Sequence, residues 1–119
     1  MKGIIILACV IEMATGIALI VKPTLVTREL FSAEVVGAGI AASRVAGIGL
    51  LALGIACWPG SAALRGLFAY NLLATAFLGY LAIGGGWVGP MLWVAVILHA
   101  VLSLLLARVC FAAKGETKV

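Results

Sequence analysis

Charge is the first thing this sequence lacks. Only 10% of its 119 residues are charged, with four acids and one histidine, where a soluble domain carries about a quarter. With 66% hydrophobic residues and a mean hydropathy of +1.32, this shortage excludes a water-soluble fold, which could not hide so much apolar surface. The three cysteines, Cys9, Cys57 and Cys110, form no CxxC. An odd number at scattered positions is no disulfide framework, and they read as small core hydrophobes. The apolar runs show no period-two alternation, so a transmembrane β-barrel is excluded. There is no phosphate loop: GIGLLALG lies inside an apolar run with no strand before it, which makes it a packing element. No internal repeat or low-complexity segment is evident.

What the sequence has is four long apolar runs. A hydrocarbon core of ~30 Å takes about 20 helical residues. Runs of that order extend from Gly3 to Val21, Gly37 to Trp58, Leu67 to Ile83 and Met91 to Phe111. The first is too long for a typical signal-peptide core and carries Glu12 in its middle. Pro23, Trp58-Pro59-Gly60 and the turn 84–90, with Trp87 and Pro90, bound the runs. Ser61 to Gly66, with Arg65, reads as a turn, and Ala112 to Val119 as a short charged tail. Within the longest polar connection, Lys22 to Val36, the spacing of Leu25, Val26, Leu30 and Phe31 predicts a short amphipathic helix over residues 24–34, lying at the membrane interface, with an ordinary loop held by a few buried anchors as the alternative. The expected fold is all-α: an integral membrane four-helix bundle, up-down, forming a single domain over 1–119. Gly39, Ser43 and Gly47 recur every four residues, a small-xxx-small face for close helix packing.

Four spans place both termini on one side. That side collects Lys2, Arg65, Arg108, Lys114 and Lys118, five cations against Lys22 and Arg28 on the other. The positive-inside rule makes both termini cytoplasmic in an inner (plasma) membrane. The net charge of +4 is what anionic headgroups call for and gives no argument for nucleic acid; membrane lipids are the expected surroundings.

Each span carries one strongly polar side chain: Glu12, Arg44, Asn71 and His99. At 1.5 Å per residue, Glu12 lies ~14 Å above the inner end of its span, Arg44 ~11 Å and His99 ~12 Å below the outer ends of theirs. In a ~30 Å core these depths agree, with Asn71 slightly nearer the inner side. If all face inward, Glu12 and Arg44 can pair as ions while Asn71 and His99 complete the hydrogen bonds. Three readings stay open: a satisfied network that fixes helix order, a ligand, quinone or proton site, or side chains that face lipid by accident. A bis-His haem would need a second histidine. Glu12 and His99 fall short of the three or four ligands of a metal site. No nucleophile has an activating neighbour at a telling spacing, so no catalytic residue is assigned and an enzyme is not the favoured reading.

The order of these features resembles the small bacterial four-helix membrane proteins of the DoxX-like kind over nearly the whole chain. The resemblance rests on SRVAGIGLLALGIACWPG, with Arg44-x-x-Gly47 and a following Leu-Leu-x-Leu-Gly, and on the Arg-led ALRGLFAYNLLATAFLGY. It implies a membrane subunit, in some members linked to quinone-dependent sulfur oxidation, with Arg44 as the residue carried over. A second resemblance covers the first span only: VIEMATGIALIVKP places Glu12, Gly16 and Lys22 as in the small multidrug-resistance transporters. The aromatic-rich second and third helices of that family are not matched. A buried Arg44 beside Glu12 would neutralise the charge exchange such a transporter needs.

The expectation is therefore a non-catalytic accessory or assembly subunit, in a homo-oligomer or a larger membrane-protein complex. Its polar cluster fixes packing or binds a small ligand. No cofactor is assigned, with quinone or lipid as the candidate ligands. The alternatives are a proton-coupled small-molecule transporter acting as a homodimer through Glu12, and a quinone-binding redox subunit.

Overall fold

A computed structural model describes residues 2–58 and 63–116. Its elements are α1 (Lys2–Val21), α2 (Pro23–Phe31), α3 (Ala38–Ala56), α4 (Leu64–Gly84) and α5 (Leu92–Glu116), and the described residues contain no strand. The four long helices are each long and apolar enough to cross a membrane.

The boundaries follow from local chemistry. Pro23 opens α2, where a missing N–H costs nothing. α2 stops three residues short of the expected end because Ser32 takes a left-handed conformation, φ +52°. Gly37, at φ +55°, is the turn into α3 rather than its first helical residue, a conformation open to glycine at little cost. α4 begins three residues earlier than expected, so Arg65 stands in its first turn instead of in the connection. Leu64 extends the buried face that Leu67 and Asn71 continue. α5 runs on to Glu116, into the region expected to be a tail, with Lys114 in its last turn, where a cation suits the helix dipole. The expected break at Pro59-Gly60, the start of the turn at Ser61 and Lys118 lie outside the described residues.

The long helices form two antiparallel pairs, α1 on α3 and α4 on α5. Glycine makes the first pair close. A Cβ on Gly16 would fall 2.6 Å from the Gly47 carbonyl oxygen, a Cβ on Gly47 2.6 Å from that of Gly16, and a Cβ on Gly54 2.9 Å from that of Cys9. The close face of α3 thus runs from Gly47 towards Gly54. Of the expected packing residues, Gly47 sits at the crossing, whereas Gly39 abuts Val35 in the preceding segment and Ser43 lines a cavity.

All four long helices meet at one end, where Ile5, Ala8 and Cys9 of α1, Cys57, Leu64 and Leu67, and Leu102, Leu106 and Val109 of α5 form the core. At the other end the pairs diverge and α2 bridges them. The Gly89 N–H donates to the Leu30 carbonyl (2.8 Å), the Met91 N–H to the Glu29 carbonyl (2.8 Å) and the Ser32 hydroxyl to the Val88 carbonyl (3.0 Å). Terminal helix carbonyls have no partner within their own helix; those of α2 find theirs in the α4–α5 connection.

Candidate functional site

Between the two pairs, under α2, lies a cavity of about 940 Å³, near the top of the range for small-molecule sites. Leu25, Val26, Leu30 and Phe31 of α2 roof it. Its walls are kept thin by alanine: Ala14 and Ala18 on α1, Ala46 on α3, Ala74 on α4 and Ala95 on α5. On the α4 side Leu73 and Phe77 line it while staying 68% and 60% exposed. The cavity therefore opens sideways along α4, onto lipid if the helices span a bilayer.

The polar residues on the wall are few: Thr15, Ser43, Tyr70, His99 and, near the roof, Thr27 and Glu29. Thr15 donates to the Ile11 carbonyl one turn back (2.9 Å). Thr75 and Ser103 do the same to Asn71 and His99 (2.8 and 2.7 Å). These hydroxyls satisfy themselves on their own helices. The weakly polar stripes of the sequence are thus self-contained rather than a network between helices.

Among the described residues a side-chain hydrogen bond joins α4 to α5. Asn71 on α4, fully buried, bonds His99 on α5 through Oδ1 and Nδ1 at 2.8 Å, and its Nδ2 donates to the Leu67 carbonyl at 2.9 Å. Tyr70 meets the His99 ring edge-on, with centroids 5.9 Å apart. Such aromatic pairs contribute about 0.5–1.5 kcal/mol beyond burial.

Glu12 lies beside Asn71 and Tyr70. It is 0% exposed, and neither carboxyl oxygen has a hydrogen-bond partner. It does not line the cavity, whose α1 wall is formed by its neighbours Ile11 and Thr15. Arg44 is not in this group. It is exposed on the outer face of α3, and the structure gives no Glu12–Arg44 ion pair. Three of the four expected cluster residues, Glu12, Asn71 and His99, are thus brought together and the fourth is turned away. The physical reason is the glycine crossing. Gly47 packs against Gly16, Leu19 and Ile20, and Gly54 against Cys9 and Met13, so Arg44 stands level with the end of α1, well beyond Glu12, and flanks the buried face of Gly47, Leu50 and Gly54 on the side away from Leu50.

Compared with family models, with curated proteins and with solved structures, the chain matches none. The site is argued from its geometry alone. Among the described residues no group of three or more His, Cys, Asp or Glu side chains converges as a metal site would require. Sequence reasoning missed the cavity, Tyr70 as the neighbour of His99, and the tie between α2 and the α4–α5 connection. Alanines at wall positions on four helices were the available signal for the cavity, but their convergence depends on tertiary packing.

Proposed function

We propose that this protein is a non-catalytic, multi-pass inner-membrane protein of DoxX-like type that holds a small apolar ligand, of lipid or quinone class, between its helix pairs. Both termini would be cytoplasmic by the cation count, and α2 would lie at the outer interface. One observation carries the reading: an apolar cavity of about 940 Å³ with His99 and Tyr70 on its wall. Apolar walls with a few placed polar groups are the usual anatomy of a small-molecule site. The transporter alternative draws less support, because Glu12 sits behind the wall rather than on it. The test is purification in mild detergent with mass spectrometry of bound small molecules, for the natural chain and for Ala74→Trp, which fills the cavity. A stoichiometric amphiphile lost in the variant is expected. Equal lipid content in both would refute the reading.

A second reading, the accessory subunit, rests on α3. Arg44 stands exposed on it, with Ala41, Ala42, Val45 and Gly49 exposed around it. A cation on an apolar helix calls for a partner, and small residues admit a close helix. A partner helix would cover both. Cysteine crosslinking from position 45 in native membranes tests it: a discrete adduct supports a partner, and monomer alone opposes one.

A further inference from the structure

The polar side of the cavity has a definite hydrogen-bonding sense. Asn71 Nδ2 donates to the Leu67 carbonyl. A carbonyl only accepts, so the orientation of the amide is fixed and Oδ1 is the atom facing His99 Nδ1. Two acceptors cannot bond, so Nδ1 carries the hydrogen, and in a neutral imidazole Nε2 is then an acceptor. Among the described residues no group of the chain bonds Nε2. Among the described residues, the side-chain polar atoms that are both sealed and unbonded are the two Glu12 oxygens. Nε2 is unbonded and is not one of these, so it is not sealed, and His99 lines the cavity.

We propose that the cavity selects an apolar molecule bearing a hydroxyl group, whose O–H donates to His99 Nε2. This rests on the reading of the cavity as a ligand site and names the chemistry of its occupant. An ester, ether, aldehyde or quinone oxygen presents only lone pairs to another lone pair and gains nothing there. Ordinary phospholipid acyl chains fill such a cleft without engaging His99. Isoprenoid alcohols and reduced quinones share the hydroxyl chemistry.

The test compares farnesol, its methyl ether and farnesene, and separately a short-chain ubiquinol with its ubiquinone, by calorimetric titration into protein-loaded lipid nanodiscs against empty ones. One hydrogen bond of about 1.4 kcal/mol corresponds to a tenfold preference. Farnesol is expected to bind about tenfold tighter than its ether, or ubiquinol than ubiquinone, and the series showing the preference identifies the source. The preference is expected to vanish in Asn71→Leu/His99→Phe, which removes both partners of the buried bond together, with the affinity for the hydroxyl compound falling to that of its partner compound. Because the chain has one histidine, ¹⁵N-imidazole spectra of the unmodified protein give a second readout. They should show a protonated Nδ1, and an unprotonated Nε2 signal that shifts with the preferred hydroxyl ligand and not with its partner compound. A protonated Nε2, or equal affinity within both series, overturns the proposal and leaves the cavity reading standing. No binding of any probe overturns both.

Discussion

Replacing Glu12 by methionine separates a structural from a functional role for the buried polar set. The Glu12 side chain is 0% exposed and both its oxygens are without a hydrogen-bond partner. On scales from protein mutagenesis, a buried polar group without its bonds costs about 1–3 kcal/mol. Methionine has similar length, removes that cost and fills irregular space. Glu12→Met is therefore expected to stabilise the folded chain by about 1–3 kcal/mol, and Glu12→Gln, which keeps a polar group there, to gain less. The assay is reversible unfolding of the helices in mixed micelles titrated with denaturing detergent, followed by circular dichroism. Destabilisation by Glu12→Met of more than about 1 kcal/mol would refute the reasoning, since the carboxyl would then be held by bonds that matter to the fold. A gain in stability together with loss of the bound ligand would mark Glu12 as a residue kept for function, the trade-off seen where a site is strained or destabilised.

Three further predictions follow from the packing. Gly16→Ala and Gly47→Ala each force the α1–α3 crossing apart, because the new Cβ would meet a carbonyl oxygen at 2.6 Å. Each is expected to cost about 1–3 kcal/mol in the same assay, and the double variant less than the sum, since one separation relieves both clashes. Gly89→Ala places a Cβ 2.6 Å from the Leu30 carbonyl carbon and should loosen α2 locally; amide exchange is expected to rise at Gly89 and Met91 and stay unchanged at the Leu67–Leu106 core. Arg44→Ala is expected to change unfolding by no more than about 0.5 kcal/mol, as for exposed positions generally, while abolishing the crosslink from position 45 if the partner reading holds.

The long helices were legible because hydropathy over twenty residues needs no tertiary information. The ends were less so. Arg65 looked like part of a turn, yet Leu64 and Leu67 are both buried and bring the first turn into the helix. The convergence of Glu12, Asn71 and His99 was legible from depth, since one polar group near mid-span on each helix has few places to go. Depth counted along each helix carries no information on azimuth or on register, however, and Arg44 shares neither the level of Glu12 nor its face, because Gly47 packs against Gly16, Leu19 and Ile20. Its azimuth is set by Gly47 and Gly54, whose contacts with α1 depend on where Gly16 and Cys9 fall on the other helix. The tie between α2 and residues 88–91 was illegible because two of its three hydrogen bonds are backbone to backbone, and such bonds leave little trace in residue type.

If the helices span a bilayer, the placement of the cavity follows from what can hold them together without water. In a bilayer no hydrophobic force draws one helix to another, and association rests on close packing and hydrogen bonds. α1 and α3 have the packing, through Gly16, Gly47 and Gly54. α4 and α5 have the hydrogen bond, through Asn71 and His99. Between the pairs there is the apolar core at one end and the α2 bridge at the other, and along the stretch between them the seam is faced by alanines. A small residue strengthens a helix contact only where the opposite backbone comes close enough to use the space. On the α1–α3 crossing it does. On the seam it does not, and the same class of residue leaves room for a ligand. His99 belongs to both arrangements: Nδ1 is spent on holding α5 to α4, and that commitment is what leaves Nε2 to face whatever occupies the seam. The bond that keeps the second pair together thus also sets the chemistry of the site.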